Sequence, residues 1–259
     1  IRNCIFSENY RGMDNRDSSP TVTDCIFSSN DDGMTNDGTS SPTVTSCGFS
    51  DNTSNGMWNL GTSSANVTTS TFSGNGAGMT NDDTSTVTVN DCTFSDNLGG
   101  VFNRGSEPSV NDSRFSNNLE FGMENWGASP TVANCTFSNT GTPTNPSVGM
   151  YSFTSTVTVT NSTFSGYEDG GFRAYGTSAT IESSIFSENT STDGGGIEND
   201  SGAIKITNCL FVGNRANNGA AVWNSTAIFS VSNSTFTDNQ ASVSGGVFYS
   251  NNANIVTVT

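Results

Sequence analysis

The sequence contains no histidine and a single lysine, Lys205; lysine and arginine together number 8 among 259 residues. Without imidazole the chain lacks the usual general base near neutral pH, the usual zinc ligand and any Ser-His-Asp triad. Against those few cations stand 24 acidic residues, a net charge of −16. That charge repels nucleic-acid phosphate and anionic membrane surfaces, so neither is expected as a partner. No apolar run approaches the roughly 18 residues of a membrane-spanning helix. Only 32% of the chain is hydrophobic, too little for an ordinary globular core. Yet 17 phenylalanines and evenly placed Val, Ile and Met residues set it apart from a disordered polar chain.

What fills the chain is a repeat. Phe recurs at 6, 27, 49, 72, 94, 115, 137, 164, 186, 211 and 236, at spacings of 21 to 27 residues. A Val or Ile stands five residues before each of these. An Asn stands three after most of them (Asn9, Asn30, Asn52, Asn97), with Thr140 and Tyr167 as departures. About seven residues past the Phe comes Gly plus an apolar residue, as in Gly12-Met13 and Gly100-Val101, and all 6 methionines occupy this one position. A second Asn usually follows two further on, as at Asn15, Asn36 and Asn103.

Short alternating segments such as Thr-Val-Thr, separated by Gly, Asn, Asp and Ser, read as strands and turns. One coil of three short parallel strands per repeat satisfies the period. The whole of residues 1–259 is therefore expected to form one all-β domain, a single-stranded parallel β-helix of about 11 coils. The crossover rule makes it right-handed. Stacking at about 4.8 Å per coil makes a rod of roughly 50 Å. The Asn columns are expected to form ladders that satisfy turn backbone, Asn being tolerant of the left-handed region. The repeat is in register from Ile1, and residues 254–259 begin a further strand. Both ends read as uncapped, so the rod either continues in a longer chain or stacks on other copies.

The Phe-x-x-Asn repeats (Phe6-Ser-Glu-Asn9, Phe94-Ser-Asp-Asn97, Phe236-Thr-Asp-Asn239) resemble those of polymorphic outer-membrane proteins. So do Gly195-Gly196-Ile197 and Gly245-Gly246-Val247, near forms of a Gly-Gly-x-Ile/Val motif. Through them the chain is similar to the pectate-lyase-like right-handed β-helix group. The resemblance implies the fold. It also implies adhesin passengers, surface repeat proteins or polysaccharide-cleaving enzymes as the range of function. In the enzymes of that group the site lies outside one sheet, with clustered Asp and a Lys or Arg base, or with paired carboxylates.

The 6 cysteines (4, 25, 47, 92, 135 and 209) all lie two residues before a repeat Phe, in a slot that elsewhere holds Ser70, Ser113 or Ser162. Cys4, Cys25 and Cys47 stack on one another, but parallel side chains do not suit a disulfide, so free thiols are expected. Stacked rungs do not surround a tetrahedral metal centre either.

For chemistry, Glu168, Asp169 and Arg173 lie close in sequence, and Glu198 and Asp200 flank Asn199. They read as solvated turn charges, and no catalytic residue is assigned. The residue after each Gly-apolar pair points outward, and five of these are aromatic: Trp58, Phe102, Tyr151, Trp223 and Phe248. Flat rings on a solvent-facing strip stack on sugars or bury against another chain. This strip is the candidate site for ligand or self-association. Thr21/Thr23, Thr43/Thr45 and Thr158/Thr160 resemble the flat Thr arrays of ice-binding solenoids, but Asn90, Ala133 and Lys205 interrupt their columns. No cofactor is expected. Ca²⁺ would have to sit at Asp31-Asp32, Asp82-Asp83 or Glu168-Asp169, and no calcium-roll motif is present.

Taken together, these features point to a non-enzymatic extracellular or cell-surface rod, structural or adhesive, that assembles with itself or presents a face to surface glycans. A polysaccharide-binding or polysaccharide-cleaving β-helix is the alternative, and an ice-binding protein the third.

Overall fold

The computed structural model describes residues 1–140, 147–226, 228–251 and, as backbone only, 255–258. Every regular element among them is a β-strand, and none is a helix long and apolar enough to cross a membrane. Each coil gives one strand to each of three parallel sheets of 11 strands. In the first coil these are Ile5–Ser7, Arg11–Arg16 and Thr21–Thr23. We name the sheets after their inward columns: the Phe sheet, the Met sheet and the Val sheet. The last strand, Ile255–Val258, adds to the Val sheet beside Ile228–Ser232; 254 and 259 lie outside the described residues. A small fourth sheet pairs Arg215–Asn218 with Gln240–Ser244. The chain is thus the expected all-β solenoid of about eleven coils.

Alternation decides which side chains go in. Val89 is buried between exposed Thr88 and half-buried Asn90. The repeat phenylalanines stack face to face with ring centroids 4.4 to 4.9 Å apart, from Phe6 to Phe236. The Gly before each Met is a steric requirement. A Cβ on Gly78 would lie 2.6 Å from the Gly100 carbonyl oxygen of the next coil and 2.8 Å from Phe94 Cδ1.

Both Asn columns are buried ladders. Asn97 Oδ1 accepts from the Asn75 backbone N–H and from Asn75 Nδ2, each at 2.9 Å. Its own Nδ2 donates to the Phe72 carbonyl and to Asn118 Oδ1. In the second ladder Asn81 Nδ2 donates to Asn103 Oδ1 at 2.8 Å. The left-handed residue is not the ladder Asn but the one before it: Glu8, Ser29, Asp51 and Asp96 have φ between 55 and 58°. The ladder Asn must point inward to reach its neighbours, so the chain turns one residue earlier.

All six cysteines are unpaired. Each slot serves a corner: Cys92 Sγ donates to the Asn90 carbonyl, and the Cys92 backbone N–H donates to Ser113 Oγ. Burial pushes the Cys92 and Cys135 thiols up to about 11, and raises Cys47 and Cys209 as well.

Two outcomes follow for stability and reactivity. Phe94→Ala is expected to cost about 3–5 kcal/mol through the cavity it opens in the stack. Thr88→Ala, on the outer face, should cost under about 1 kcal/mol; similar losses in denaturant melts would contradict the assignment of faces. Thiol titration near pH 8 should leave Cys92 and Cys135 unreactive in the folded protein, since a thiol of pKa about 11 carries almost no thiolate there. Unfolding without reductant should release 6 thiols; fewer would mean disulfides.

Candidate functional site

The outer face of the Met sheet carries two side-chain columns. In the first, each coil places one residue directly above the last, and the run Phe102, Glu124, Tyr151, Arg173, Glu198, Trp223 is continuous. The expected outward aromatics do not make one site. Trp58 is half-buried and donates through Nε1 to Asp82 Oδ2 at 2.9 Å, and the flanking Thr35 and Thr80 are buried. Phe102 is covered by the Arg104 guanidinium, 4.4 Å from its ring centre, and by Phe121. Trp223 stands beyond Glu198. Phe248 is a correction. It pairs in register with inward Val222 and packs edge-on to Phe236 at 4.7 Å. Gly245 turns the chain in the left-handed region, and the strand begins one residue later than the Gly-Val motif implies. Tyr249 takes the outward place beside Trp223.

Tyr151 is the one of the five that lines a depression, and its ring partners come from the second column. Trp126, Phe153 and Tyr175 lie in successive coils, two residues beyond the first column. Trp126 and Phe153 are 43% and 39% exposed, an unusual state for rings that large. Ring centroids lie 5.1 Å apart for Trp126–Phe153, 6.4 Å for Trp126–Tyr151 and 5.7 Å for Tyr151–Tyr175. Continuing the alternation one step past the second Asn column would have found them: Asn125-Trp126, Ser152-Phe153, Ala174-Tyr175.

Beside the rings the acidic and basic residues join into a network rather than standing as solvated charges. Arg173 Nε pairs with Glu198 Oε2 at 2.8 Å, and its Nη1 bonds Asp169. Arg173 Nη2 donates to the Tyr175 hydroxyl at 2.8 Å, which in turn donates to Glu198 Oε1 at 2.6 Å. Burial pushes the Tyr175 pKa up, and Glu198 holding its proton pushes the same way. Burial alone would lower Arg173, but Glu198 and Asp169 more than offset it, and the net shift is upward. Tyr175 is therefore a phenol and Arg173 a cation throughout the neutral range. Glu198 is raised by burial, opposed by its Tyr175 and Arg173 contacts.

Between network and rings lies a depression of about 280 Å³, lined by Glu120, Phe121, Glu124, Trp126, Tyr151 and Arg173 among others. A second hollow of about 230 Å³ on the Val sheet, around Thr158, Thr180, Lys205 and Ser230, has neither rings nor carboxylates. The acidic turn pairs have protein partners: Asp31 accepts from Thr53 and Ser54, Asp82 from Trp58, and Asp169 from Arg173. Among the described residues no group of three or more Cys, Asp and Glu is placed to hold a metal ion.

A family model described as a right handed beta helix region matches residues 1–118 and 99–240. No curated protein matches the sequence. Among solved structures, an alginate lyase from Paenibacillus sp. str. FPU-7 superposes with a TM-score of 0.51 at 12% identity, over 94% of this chain and 99% of that one. The Agl-KA catalytic domain superposes with a TM-score of 0.35 at 13% identity, over 92% and 62% of the two chains. At 12% identity the likeness to the lyase is one of fold.

Glu124 gives the site a signature in stability. Burial raises its pKa, Trp126 Nε1 opposes by donating to Oε1 at 2.6 Å, and neighbouring Glu120 raises it further. A carboxyl with a higher pKa in the fold than in the open chain stabilises the fold only while protonated. That contribution is lost as pH rises from the open-chain value through the folded one. Glu124→Gln keeps the Trp126 bond and removes the charge. It should raise Tm near pH 7 and leave Tm unchanged below about pH 3, where both states are protonated. A lower Tm at neutral pH would contradict this account of the carboxylate.

Proposed function

The chain belongs to the right-handed β-helix family, and from that premise we propose that it is a polysaccharide-binding rod. Its glycan site is the Met-sheet face around Trp126, Tyr151, Phe153 and Tyr175. The observation that carries this is the pair of exposed rings, Trp126 and Phe153, set beside a polar depression on a flat parallel sheet. Sugar rings present apolar faces that stack on such aromatics, and hydroxyls that bond fixed polar groups at their edges. Strands at about 4.8 Å spacing hold those rings without loop entropy. The protein then acts outside the cell or at its surface, where polysaccharide is met. Its role is adhesive or structural, as a stiff acidic rod.

The second reading is cleavage of the bound chain, the activity named for the Paenibacillus lyase. Tyr175 and Glu198 favour it, because a hydrogen-bonded phenol can supply a proton to a departing sugar oxygen. Neither Arg173 nor Lys205 is free to remove the sugar proton. Arg173 is engaged by two carboxylates and a phenol, and Lys205 lies on another sheet. Binding is therefore the function we favour.

A panel of neutral, cationic and uronate polysaccharides tests both readings. Retention of the protein on at least one, weakened about ten-fold or more by Trp126→Ala, is expected. Retention on none, or undiminished retention of the variant, would remove the glycan site from this face. New chain ends in the incubated polymer, abolished by Tyr175→Phe, would make the protein an enzyme.

A further inference from the structure

We infer that the depression on the Met sheet is built for a sugar carrying a protonated amine, and that the ligand is an amino-glycan of the polyglucosamine type. This rests on the glycan reading above and names its substrate class.

The charge lining the depression carries the argument. Glu120, Glu124 and Asp169 all face it. The cation present, Arg173, is already neutralised by Asp169 and Glu198 and bonded to Tyr175. Among the described residues neither Glu120 nor Glu124 has an ion-pair partner within 4.0 Å. Glu124 is half-buried, and only its Oε1 has a donor, the Trp126 indole N–H. The nearby Arg104 pairs with Asp82 and covers Phe102, so exposed Glu120 and half-buried Glu124 keep carboxylate charge that no ion pair meets, beside rings whose faces are themselves electron-rich. A protonated amine meets both needs: it bonds the free carboxylate oxygens and lies over an aromatic face. A uronate would set like charge against Glu120 and Glu124, and an N-acetylated sugar would leave both unpaired.

The rings decide that the amine belongs to a sugar. Trp126 and Phe153 form an apolar shelf leading away from the carboxylates, which a small amine would leave uncovered but a chain of stacked sugar rings would occupy. One amine over Glu124 and the next rings along the shelf is the arrangement that uses all of these groups.

Calorimetric titration of the whole chain tests this with four probes: a fully deacetylated glucosamine oligomer, its N-acetylated counterpart, an oligouronate of similar length and oligolysine. The pH is set so that amines are largely protonated and carboxylates ionised. The deacetylated oligomer should bind at least about ten-fold more tightly than the acetylated one, and added salt should weaken it. Glu124→Gln should lose about ten-fold in affinity, whereas Glu107→Gln, the same charge change at an exposed carboxylate outside the depression, should lose little. Equal binding of both glucosamine oligomers, preference for the oligouronate, or indifference to Glu124→Gln would overturn the amine specificity and leave the glycan reading standing. Oligolysine binding as tightly as the deacetylated oligomer, with Trp126→Ala silent, would replace the sugar by a cationic peptide. Binding of none of the oligosaccharides would overturn the glycan reading, and this inference with it.

Discussion

Everything in this molecule depends on coil-to-coil hydrogen bonding, which sets each residue about 4.8 Å from its counterpart above and below. A residue is tolerated in a column only if it is compatible with itself at that distance. Phe meets the condition by stacking, and Asn by accepting from one neighbour while donating to the next. Gly meets it by leaving room for the next coil's carbonyl. A column of buried carboxylates would not, which is why 24 acidic residues crowd the corners and outer faces of a chain with so few cations. The poverty in ordinary hydrophobic residues is no handicap, because a narrow tube has little interior and fills it with repeated solutions.

The same constraint makes departures informative. Both Asn ladders break in neighbouring coils: Thr140 and Tyr167 replace Asn in one, Ser152 and Ala174 in the other. The longest spacing, 27 residues between Phe137 and Phe164, falls there too. These are also the coils that carry Tyr151, Phe153, Arg173 and Tyr175. Regular columns report the fold, and several irregularities coincide at the coils that carry the proposed glycan site. The stability that Glu124 forgoes when ionised fits the same pattern.

Much of this was legible from the residues because a parallel solenoid turns sequence period directly into spatial register. The Phe, Val and Met columns, the outward Thr positions and the Cys/Ser slot all follow from alternation. Counting from Gly245-Gly246-Val247 puts Phe248 outside because it assumes a corner of fixed length, and that corner is one residue longer. Asn tolerates the left-handed region and adopts it at other corners, as at Asn134 and Asn161, but a ladder Asn needs its side chain inside, so the residue just before it turns instead, as at Glu8, Asp51, Gly74 and Asn117. Trp126, Phe153 and Tyr175 lie one step past the second Asn column, where spacing alone does not show that their rings meet. The Arg173–Glu198 pair spans 25 residues in sequence yet one rung in space; its burial depends on the rings beside it, which no spacing rule supplies.

On the proposed reading, glycan meets this rod at Trp126 and not at the other outward aromatics. The chain has 3 tryptophans, Trp58, Trp126 and Trp223, well separated along one face, so indole fluorescence separates the possibilities. Titration with a bound oligosaccharide should change the emission of the wild type, Trp58→Phe and Trp223→Phe alike, and leave Trp126→Phe unchanged. A response that survives Trp126→Phe and disappears with Trp58→Phe or Trp223→Phe would contradict the account.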